Sequence, residues 1–308
     1  MSDLLVVAHG KLQHGSARRS WARAELRLRE VFGNRVEIRY TAGGGDAARL
    51  ARSALQSGAD WLAAAGGDGT NHEVVNGFFD SGRNIRPSAA LSFIPCGSGN
   101  DWARTLGIPM TAPEAVAALP NSALRRVDVG LVFFSSPGGS GGERVFLNVA
   151  EAGAGGVLVS RIEAGLALAR SGIGYRLGTV AVALTCPRRN LKIAIDGAPA
   201  IDSGPALSLI VAGGRYFGAG MKCAPSACPD DGLFEVIVIG NFGNWELLRK
   251  IPRFFSGTYL SDPKVFHCSA RTIEASSDDQ VLLELDGELV GALPAGFRVL
   301  PGALSVRA

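Results

Sequence analysis

Residues 65–73 read Ala-Gly-Gly-Asp-Gly-Thr-Asn-His-Glu, and this stretch decides how the first half of the chain folds. An apolar run at 61–65 leads into it and an amphipathic run at 74–79 follows it, so the pattern predicts a strand, a glycine turn and a helix start. Glycines give the turn backbone freedom and let another group approach closely. Helix N-termini attract anions, so that group is expected to be a phosphate. Asp68 suggests a magnesium ligand or a carboxylate that orders the loop.

The chain has 308 residues, of which 47% are hydrophobic and 19% are charged. At roughly 150 residues per domain this length predicts two domains, and the composition is typical of a folded α/β protein. The five cysteines are scattered and form no CxxC pair, so neither a disulfide framework nor a zinc site is indicated. A reducing cytoplasm is the expected location.

Charge and hydropathy narrow the expected partners. The net charge is +3 and no basic block carries interleaved aromatic residues, so a nucleic-acid partner is not expected. The N-terminus lacks the features of a signal peptide, and no window approaches the ~20 apolar residues that a membrane helix needs. We therefore expect no transmembrane segment, and any contact with a membrane at its surface only.

The first half alternates strands and helices, which predicts a parallel sheet covered on both faces. The predicted strands are residues 4–8, 36–40, 61–65 and 89–94. The predicted helices include 24–31, one capped by Asp46, and one that reaches Leu119 from a capping box of Thr111 and Glu114. Ligands bind outside the carboxyl ends of parallel strands, so the loops at Thr41, Gly66 and Gly97 should line one site.

From Asp128 onward the pattern changes to short strands, which predicts a mostly β second half. The predicted strands are residues 127–134, 145–149, 191–195, 207–212, 234–239, 272–275 and 281–285. Three helices, at 157–169, 175–185 and around 245–255, interrupt them. The segment 135–142 is read as a hairpin tip, and Asp196-Gly197 as a turn.

Five ordered motifs resemble those of the diacylglycerol kinase catalytic-domain family, in particular its bacterial lipid kinases. Residues 66–73 are similar to the family's GGDGTxNE loop, 97–104 to GTxNDxAR, 224–233 to APxAxxxDGL and 286–288 to DGE. Thr41, with the small residues that follow it, is similar to the segment that opens the family's second helix. The motifs span nearly the whole chain, so the resemblance is specific.

The resemblance implies an α/β protein of two domains. Residues 1–126 would form a three-layer nucleotide-binding domain related to phosphofructokinase and NAD kinase, on which the tail from about 295–308 packs back. Residues 127–294 would form a mostly β-sandwich domain for the lipid substrate. The implied enzyme transfers the γ-phosphate of ATP, with Mg²⁺, to a lipid hydroxyl, most simply from diacylglycerol to phosphatidic acid. It would work in the cytoplasm at the inner membrane surface, and a homodimer is left open.

The resemblance also assigns roles to individual residues. Glu288 would be the base, with Asp286 beside it and Asp68 as a further catalytic carboxylate. The carboxylate of Asp231 and the backbone of Cys228 and Leu233 would hold magnesium. The residues expected to bind ATP lie on three loops: Thr41; Gly66, Gly67, Asp68, Gly69, Thr70, Asn71, His72 and Glu73; and Gly97, Ser98, Asn100 and Asp101.

The sequence departs from the family pattern in four places. The first loop, 8–12, reads Ala-His-Gly-Lys-Leu where the family usually has Asn-Pro-x-Ser/Ala-Gly. His72 replaces an apolar residue, and Ser98 replaces a threonine but keeps the hydroxyl. Cys228 could offer magnesium only a carbonyl or a thiol, whereas this ion prefers oxygen.

Each motif also has a purely structural interpretation. Asp286-Gly287 is a common hairpin turn, Asp230 and Asp231 could form a solvated turn, and Asn100 is an ordinary capping residue. The helix around 245–255 either packs on the sandwich or lies at a membrane interface and contributes to lipid access.

Three rival functions remain open from the sequence. The first is a soluble NAD-type or other small-molecule kinase on the same fold. The second is a regulatory module that binds nucleotide without transferring phosphate, which the altered first loop motivates. The third is a dehydrogenase, which would need GxGxxG after the first strand; the sequence there is Val7-Ala8-His9-Gly10-Lys11.

Overall fold

The computed structural model of the chain describes residues 3–14, 17–135, 141–165 and 172–308. Two compact units are present, one made of Met1–Val129 with Pro301–Ala308 and the other of Gly130–Leu300. Part of the predicted hairpin tip (136–140) and the end of the predicted helix 157–169 lie outside the described residues.

The first unit alternates strands and helices along the chain. Its elements are β1 (Leu4–Ala8), α1 (Arg18–Phe32), β2 (Val36–Tyr40), α2 (Asp46–Gln56), β3 (Trp61–Gly66), α3 (Asp68–Phe78), β4 (Phe79–Asp80), β5 (Arg83–Asn84), β6 (Ala90–Pro95), α4 (Asp101–Leu106) and α5 (Ala112–Ala118). The order β2-β1-β3-β6 is parallel throughout, with Val6 opposite Ala63 and Ala64 opposite Phe93. The predicted parallel sheet is confirmed.

Both faces of this sheet are covered, as its nearly unbroken apolar strands require. On one face, Trp21 of α1 and Val116 of α5 pack against Val6 and Ala63. On the other face, α2 and α3 contact β1 and β3. These two helices pack tightly, because a Cβ at Gly77 would lie only 2.6 Å from the carbonyl oxygen of Ala48.

One predicted helix cap is wrong, and another is right in position but lacks the predicted hydrogen bonds. Asp46 lies inside the first turn of α2, where Gly45 occupies the cap, and its Oδ2 accepts the N–H of Ala42 instead. Thr111 occupies the cap of α5, but its hydroxyl donates to the carboxylate of Glu114 at 2.6 Å and caps no backbone N–H. In both cases a nearby side chain or loop competes successfully for the capping group.

The second unit is mostly β. Its elements are β7 (Leu124–Ser135), β8 (Gly141–Phe146), β9 (Val149–Gly153), α6 (Ala154–Glu163), α7 (Gly172–Thr185), β10 (Arg189–Ile195), β11 (Ile201–Ala206), β12 (Ser208–Ala212), β13 (Phe234–Ile239), α8 (Asn244–Ser256), β14 (Val265–Ala270), β15 (Thr272–Ser276), β16 (Leu282–Leu285) and β17 (Glu288–Arg307). Strands β7 and β17 each contain a residue at which the two units divide.

Two sheets form the predicted sandwich. One has the order β14-β13-β12-β9-β16, and the other contains β11-β10-β15. Strand β17 serves both, since Gly291 pairs with Leu283 of β16 and Ala295 pairs with Ala275 of β15. An apolar core separates the sheets, and helices α6, α7 and α8 cover the outer face of the first sheet through residues such as Leu158.

The predicted strand 145–149 is wrong in one respect, because it runs across the end of β8 and the start of β9. The break falls at Leu147 and Asn148, whose N–H groups donate to the carboxylate of Asp286 and not to a neighbouring strand. Strand β17 and the short strands β4 and β5 were not predicted, and neither were β11 and β14. Both are largely exposed and lack a clear alternation of apolar and polar residues.

Candidate functional site

Two glycine turns meet at the carboxyl edge of the first unit's sheet. The β3–α3 turn brings Gly67 against Gly97 of the β6–α4 turn, so that a Cβ added at Gly97 would lie 2.5 Å from the Cα of Gly67. A Cβ at Gly67 would lie 3.2 Å from the Cα of Gly97. Contacts this short exclude any side chain at Gly97 without a shift of the loops, so both turns are glycine-rich because their backbones touch.

Asp68 ties the two turns together. Its Oδ2 accepts the N–H of Asp101 at 3.3 Å, and its Oδ1 accepts the N–H of Trp102 at 3.4 Å. These donors belong to the first turn of α4, where N–H groups have no partner within the helix. These two hydrogen bonds support the interpretation of Asp68 as a carboxylate that orders the loops.

Asn100 sets the shape of the second turn. It has a left-handed backbone (φ 54°), its Oδ1 accepts the N–H of Gly97 at 3.0 Å, and its amide donates to the Gly97 carbonyl at 2.8 Å. The neighbouring Asp101 is buried, whereas Gly97 and Ser98 are exposed. The turn thus presents its backbone and the Ser98 side chain to solvent.

Three residues that were predicted to bind ATP lie on helix α3 and have buried side chains. A Cβ at Gly66 would lie 2.3 Å from Oγ1 of the buried Thr70. The side chain of His72 is buried against Asn76, with 3.3 Å between the two side-chain nitrogens. Asn71 is buried too, and its Oδ1 has no hydrogen-bond partner. Within this motif, the partly exposed residues are Gly67, Asp68, Gly69 and Glu73.

Thr41 and Glu73 brace the neighbouring loops at the same edge. Oγ1 of Thr41 accepts the N–H of Gly10 at 3.0 Å, and Oε2 of Glu73 accepts the N–H of Ala47 at the start of α2 at 3.0 Å. The unusual first loop is an ordered 3₁₀ turn, in which Nδ1 of His9 accepts the N–H of Lys11. Burial, and then the nearby positive charge, lower the pKa of His9.

This edge is chemically suited to phosphate. The start of α3 presents backbone N–H groups and the positive end of its helix dipole, whereas the N–H groups of Asp101 and Trp102 at the start of α4 already donate to Asp68. Glycine at both turns leaves no side chain between these groups and a ligand. The structure therefore brings together the predicted loops at Thr41, 66–73 and 97–101 within the first unit.

Asp286 and Glu288 lie at the hairpin between β16 and β17 in the second unit. The carboxylate of Asp286 accepts three backbone N–H groups, from Leu147, Asn148 and Val149, at 2.9 to 3.0 Å. With three donors already bound, this side chain is a structural anchor for the turn. Glu288 is the first residue of β17 and is partly exposed.

The predicted metal segment is a loop held by its own side chains. Oδ1 of Asp231 accepts the N–H of Leu233 at 3.0 Å, and the thiol of Cys228 donates to Asp230. The free donor chemistry of this loop, an exposed carboxylate and backbone carbonyls, fits a hard cation such as Mg²⁺. Across the described ranges, no three His, Cys, Asp or Glu side chains form a ligand cluster.

The second unit also contains an apolar cavity that the sequence analysis did not find. It lies under helices α6, α7 and α8 and has a volume of about 100 Å³. Apolar side chains such as Leu158, Ile210, Leu247 and Phe254 make up most of its wall, and the buried Glu151 is one of the few polar residues there. The sequence feature that could have indicated this cavity is a single glutamate inside the mostly apolar stretch 145–158.

Comparisons with known proteins agree with this architecture. Residues 3–132 match the family model of the diacylglycerol kinase catalytic domain. Residues 149–308 match that of the YegS C-terminal NAD kinase beta sandwich-like domain. In the part of the chain that is described, no helix has both the length and the apolar character needed to cross a membrane.

Individual relatives extend over nearly the whole chain. A "probable lipid kinase YegS-like" of Chromohalobacter salexigens is 32% identical over 92% of this chain and 86% of its own length. The diacylglycerol kinase of Bacillus subtilis is 28% identical over 87% of this chain and 84% of its own. A crystal structure of a diacylglycerol kinase from Bacillus anthracis superposes with a TM-score of 0.72 at 24% identity, covering 99% of this chain and 96% of that one. The chain therefore belongs to the diacylglycerol kinase family of lipid kinases and carries the YegS type of C-terminal domain.

Proposed function

We propose that this lipid kinase transfers the γ-phosphate of ATP to the free hydroxyl of diacylglycerol and so produces phosphatidic acid. The observation that carries the choice of a lipid is the apolar cavity of the second unit. A soluble acceptor such as a nucleotide would not need an apolar binding wall. An acyl chain would, because each methylene group that it buries contributes about 0.8 kcal/mol of binding free energy.

The nucleotide half of the reaction is assigned to the first unit. Backbone N–H groups at Gly67 and Gly69 would bind the phosphates, and Ser98 would add a hydroxyl. Asp68 keeps the two turns in register through its bonds to Asp101 and Trp102. The altered first loop supports this arrangement, because Gly10 and Thr41 hold it in place.

The acceptor half is assigned to Glu288. Its carboxylate would take the proton of the lipid hydroxyl while the hydroxyl oxygen bonds to the γ-phosphorus and the bond from that phosphorus to ADP breaks. Asp286 would act as a positioning residue, since its oxygens already accept three backbone N–H groups. Magnesium, when bound, would neutralise phosphate charge, and the loop of Cys228, Asp231 and Leu233 would hold a further ion.

Helix α8 supports a peripheral location at the membrane surface. Its buried side contacts the cavity through Leu247 and Phe254, and Phe254 stacks on Tyr259 with 4.5 Å between ring centres. Its outer side carries Trp245, which is 78% exposed, and Arg249, which is exposed as well. An aromatic ring beside a cation is typical of interfacial helices.

A panel of acceptors tests this proposal. Purified protein is incubated with γ-labelled ATP and magnesium in the presence of dioleoylglycerol, phosphatidylglycerol, sphingosine or NAD, and the products are separated by chromatography. The proposal predicts label in phosphatidic acid at a rate at least tenfold above the other products. Label in the NAD product would support the small-molecule kinase, and ATP binding without any labelled product would support the regulatory module.

A further inference from the structure

One wall of the cavity in the second unit carries a buried carboxyl group. Glu151 lies on β9, is 3% exposed, and lines the cavity together with Ser208 of β12. Its neighbours along β9, Ala150 and Ala152, point into the core between the two sheets. Because side chains alternate along a strand, Glu151 faces the helix side, where the cavity is.

The two oxygens of this carboxyl group differ in their surroundings. Oε1 of Glu151 accepts the N–H of Gly155 at 2.8 Å and the hydroxyl of Ser208. Oε2 has no hydrogen-bond partner, although it is buried. Within the described residues that line the cavity, it is the buried polar side-chain atom that is left unsatisfied.

The carboxyl group of Glu151 restricts which residue can occupy position 155. A Cβ at Gly155 would lie 2.2 Å from Oε2 of Glu151, so glycine is needed where the carboxyl group meets the first turn of α6. Tyr259 is another polar residue of the wall, and its hydroxyl donates a hydrogen bond to the carbonyl of Cys223 at 2.6 Å. The unsatisfied oxygen of Glu151 therefore lies against Gly155 in a mostly apolar wall.

The buried carboxyl groups of Glu151 and Glu284 together retain a proton. Burial raises the pKa of Glu151, while the hydrogen bonds from Ser208 and Gly155 lower it. Glu284 lies directly opposite on β16, and burial, followed by the neighbouring acidic group of Glu151, raises its pKa well above the ordinary value. Since two buried carboxylates cannot both ionise cheaply on adjacent strands, at least one proton is retained.

We propose that Glu151 is the polar specificity residue of the lipid site, where Oε2–H of its neutral carboxyl group donates a hydrogen bond to an ester carbonyl of the bound glycerolipid. The assignment of the proton to Oε2 follows from Oε1, which already accepts two donors. An ester carbonyl accepts but does not donate, which complements this hydrogen. The proposal rests on the proposed function for the identity of the lipid site, and it adds the recognition of the ester.

Binding of two soluble lipids, measured by titration calorimetry without ATP, tests this assignment. The probes are 1,2-dioctanoylglycerol and 1,2-dioctylglycerol, the diether that lacks both carbonyls. Wild type should bind the ester about tenfold more tightly, the effect of one hydrogen bond to an otherwise unsatisfied buried group. Equal affinities for ester and ether would overturn the proposal.

Three variants separate recognition from structure. Glu151→Gln keeps an acceptor for Gly155 and Ser208 and offers an N–H donor to the cavity, so it should keep the ester preference. Glu151→Met fills the space without a donor and should lose it, and Ser208→Ala, which leaves Oε2–H in place, should keep it. Folding is checked by circular dichroism and thermal unfolding.

Each outcome decides the matter. A folded Glu151→Gln that loses the preference, or a folded Glu151→Met that retains it, contradicts the proposal; if Glu151→Met does not fold, the wild-type and Glu151→Gln comparison decides alone. Absence of phosphoryl transfer to diacylglycerol together with an intact ester preference would reject the proposed function and leave this inference standing.

Discussion

Asp68 and Asp286 are both acidic residues beside glycines, yet the structure uses them differently. Asp286 accepts three short hydrogen bonds from backbone N–H groups, which fixes one turn. Asp68 accepts two longer ones, of 3.3 and 3.4 Å, from the start of a different helix. The contacts of Asp68 are therefore the easier ones to rearrange when a nucleotide binds, and those of Asp286 are the more important for the fold.

Replacing Asp68 with Asn should abolish most of the transfer activity. The amide keeps the size of the side chain but removes the charge that accepts the N–H groups of Asp101 and Trp102, at a cost of about 1–2 kcal/mol in unfolding free energy. We expect a loss of at least about 100-fold in turnover, as for other groups that organise a phosphoryl-transfer site. Urea unfolding and labelled-ATP assays measure the two effects.

Asp60→Asn is the control for this experiment, because Asp60 is an exposed residue that pairs with Arg86 at the surface. It should keep wild-type turnover. Wild-type activity in Asp68→Asn would remove Asp68 from the mechanism.

Glu284 makes stability depend on pH. Its pKa is raised well above the ordinary value by burial first and by the neighbouring acidic group of Glu151 second. A carboxyl group whose folded-state pKa is raised contributes stability below its unfolded pKa and loses it as pH rises through the folded value. Wild type should therefore lose stability from about pH 4.5 upward, by up to about 1.4 kcal/mol per pH unit for one proton.

Glu284→Gln cannot ionise and should lose less stability over that range. Its unfolding free energy relative to wild type, measured in urea at pH 5, 6.5 and 8, should increase steadily with pH. Glu37→Gln, at an exposed position, provides the comparison and should follow wild type. Parallel pH curves for wild type and Glu284→Gln would show that Glu284 stays in one protonation state.

At the scale of elements, we expect the site to depend on the contact between the β3–α3 turn and the β6–α4 turn. Replacing Gly97 with Ala would place a methyl group 2.5 Å from the Cα of Gly67. The turns must separate to accept it, so we expect a loss of about 1–3 kcal/mol in unfolding free energy and weaker nucleotide binding. Chemical denaturation and titration with a non-hydrolysable ATP analogue measure both.

Gly243 provides a matched glycine. A Cβ there meets nothing within 4 Å, and the residue has a φ of −66° at the start of α8. Gly243→Ala should leave stability and nucleotide binding close to wild type. If Gly97→Ala binds nucleotide as tightly as Gly243→Ala does, the close approach of the turns is not required for the site.

The elements of the first unit could be predicted from the sequence because each depends on local patterns. Apolar runs such as 61–65 followed by glycine turns mark parallel strands, and β1, β2, β3 and β6 were found in this way, whereas the end of β17, which pairs in parallel with β6, was not. The cap at Asp46 was predicted wrongly because this side chain accepts the N–H of Ala42. Thr111 was placed correctly at the cap of α5, but its hydroxyl donates to Glu114 and not to the backbone as predicted.

The cavity and its glutamate could not be predicted in the same way. Its wall combines residues from β9, β12 and three helices that are far apart in the sequence. The role of Asp286 as an anchor was equally hidden, because its partners Leu147 and Val149 lie more than 130 positions away. Only a polar residue in an apolar segment, such as Glu151, signals such a site beforehand.

At the scale of the whole molecule, the proposed reaction takes place at a lipid surface. Trp245→Ala with Arg249→Ala removes the exposed ring and cation of helix α8 and leaves its buried residue Leu247 in place. We expect the fraction of protein that sediments with anionic liposomes to fall severalfold, with ATP affinity unchanged.

Phe254→Ala with Phe255→Ala serves as the second arm, because both rings line the cavity. This pair should raise the apparent KM for diacylglycerol more than it affects sedimentation. Liposome binding that neither pair of substitutions changes would remove helix α8 from membrane association.

The most direct test follows the label of γ-³²P-ATP into phosphatidic acid extracted from diacylglycerol micelles, for wild type and for Glu288→Gln. The account predicts labelled phosphatidic acid from wild type and a rate at least about 100-fold lower from Glu288→Gln, at equal affinity for ATP. No labelled phosphatidic acid from wild-type protein that binds ATP would contradict the proposed reaction, and equal rates for the two proteins would contradict the role of Glu288.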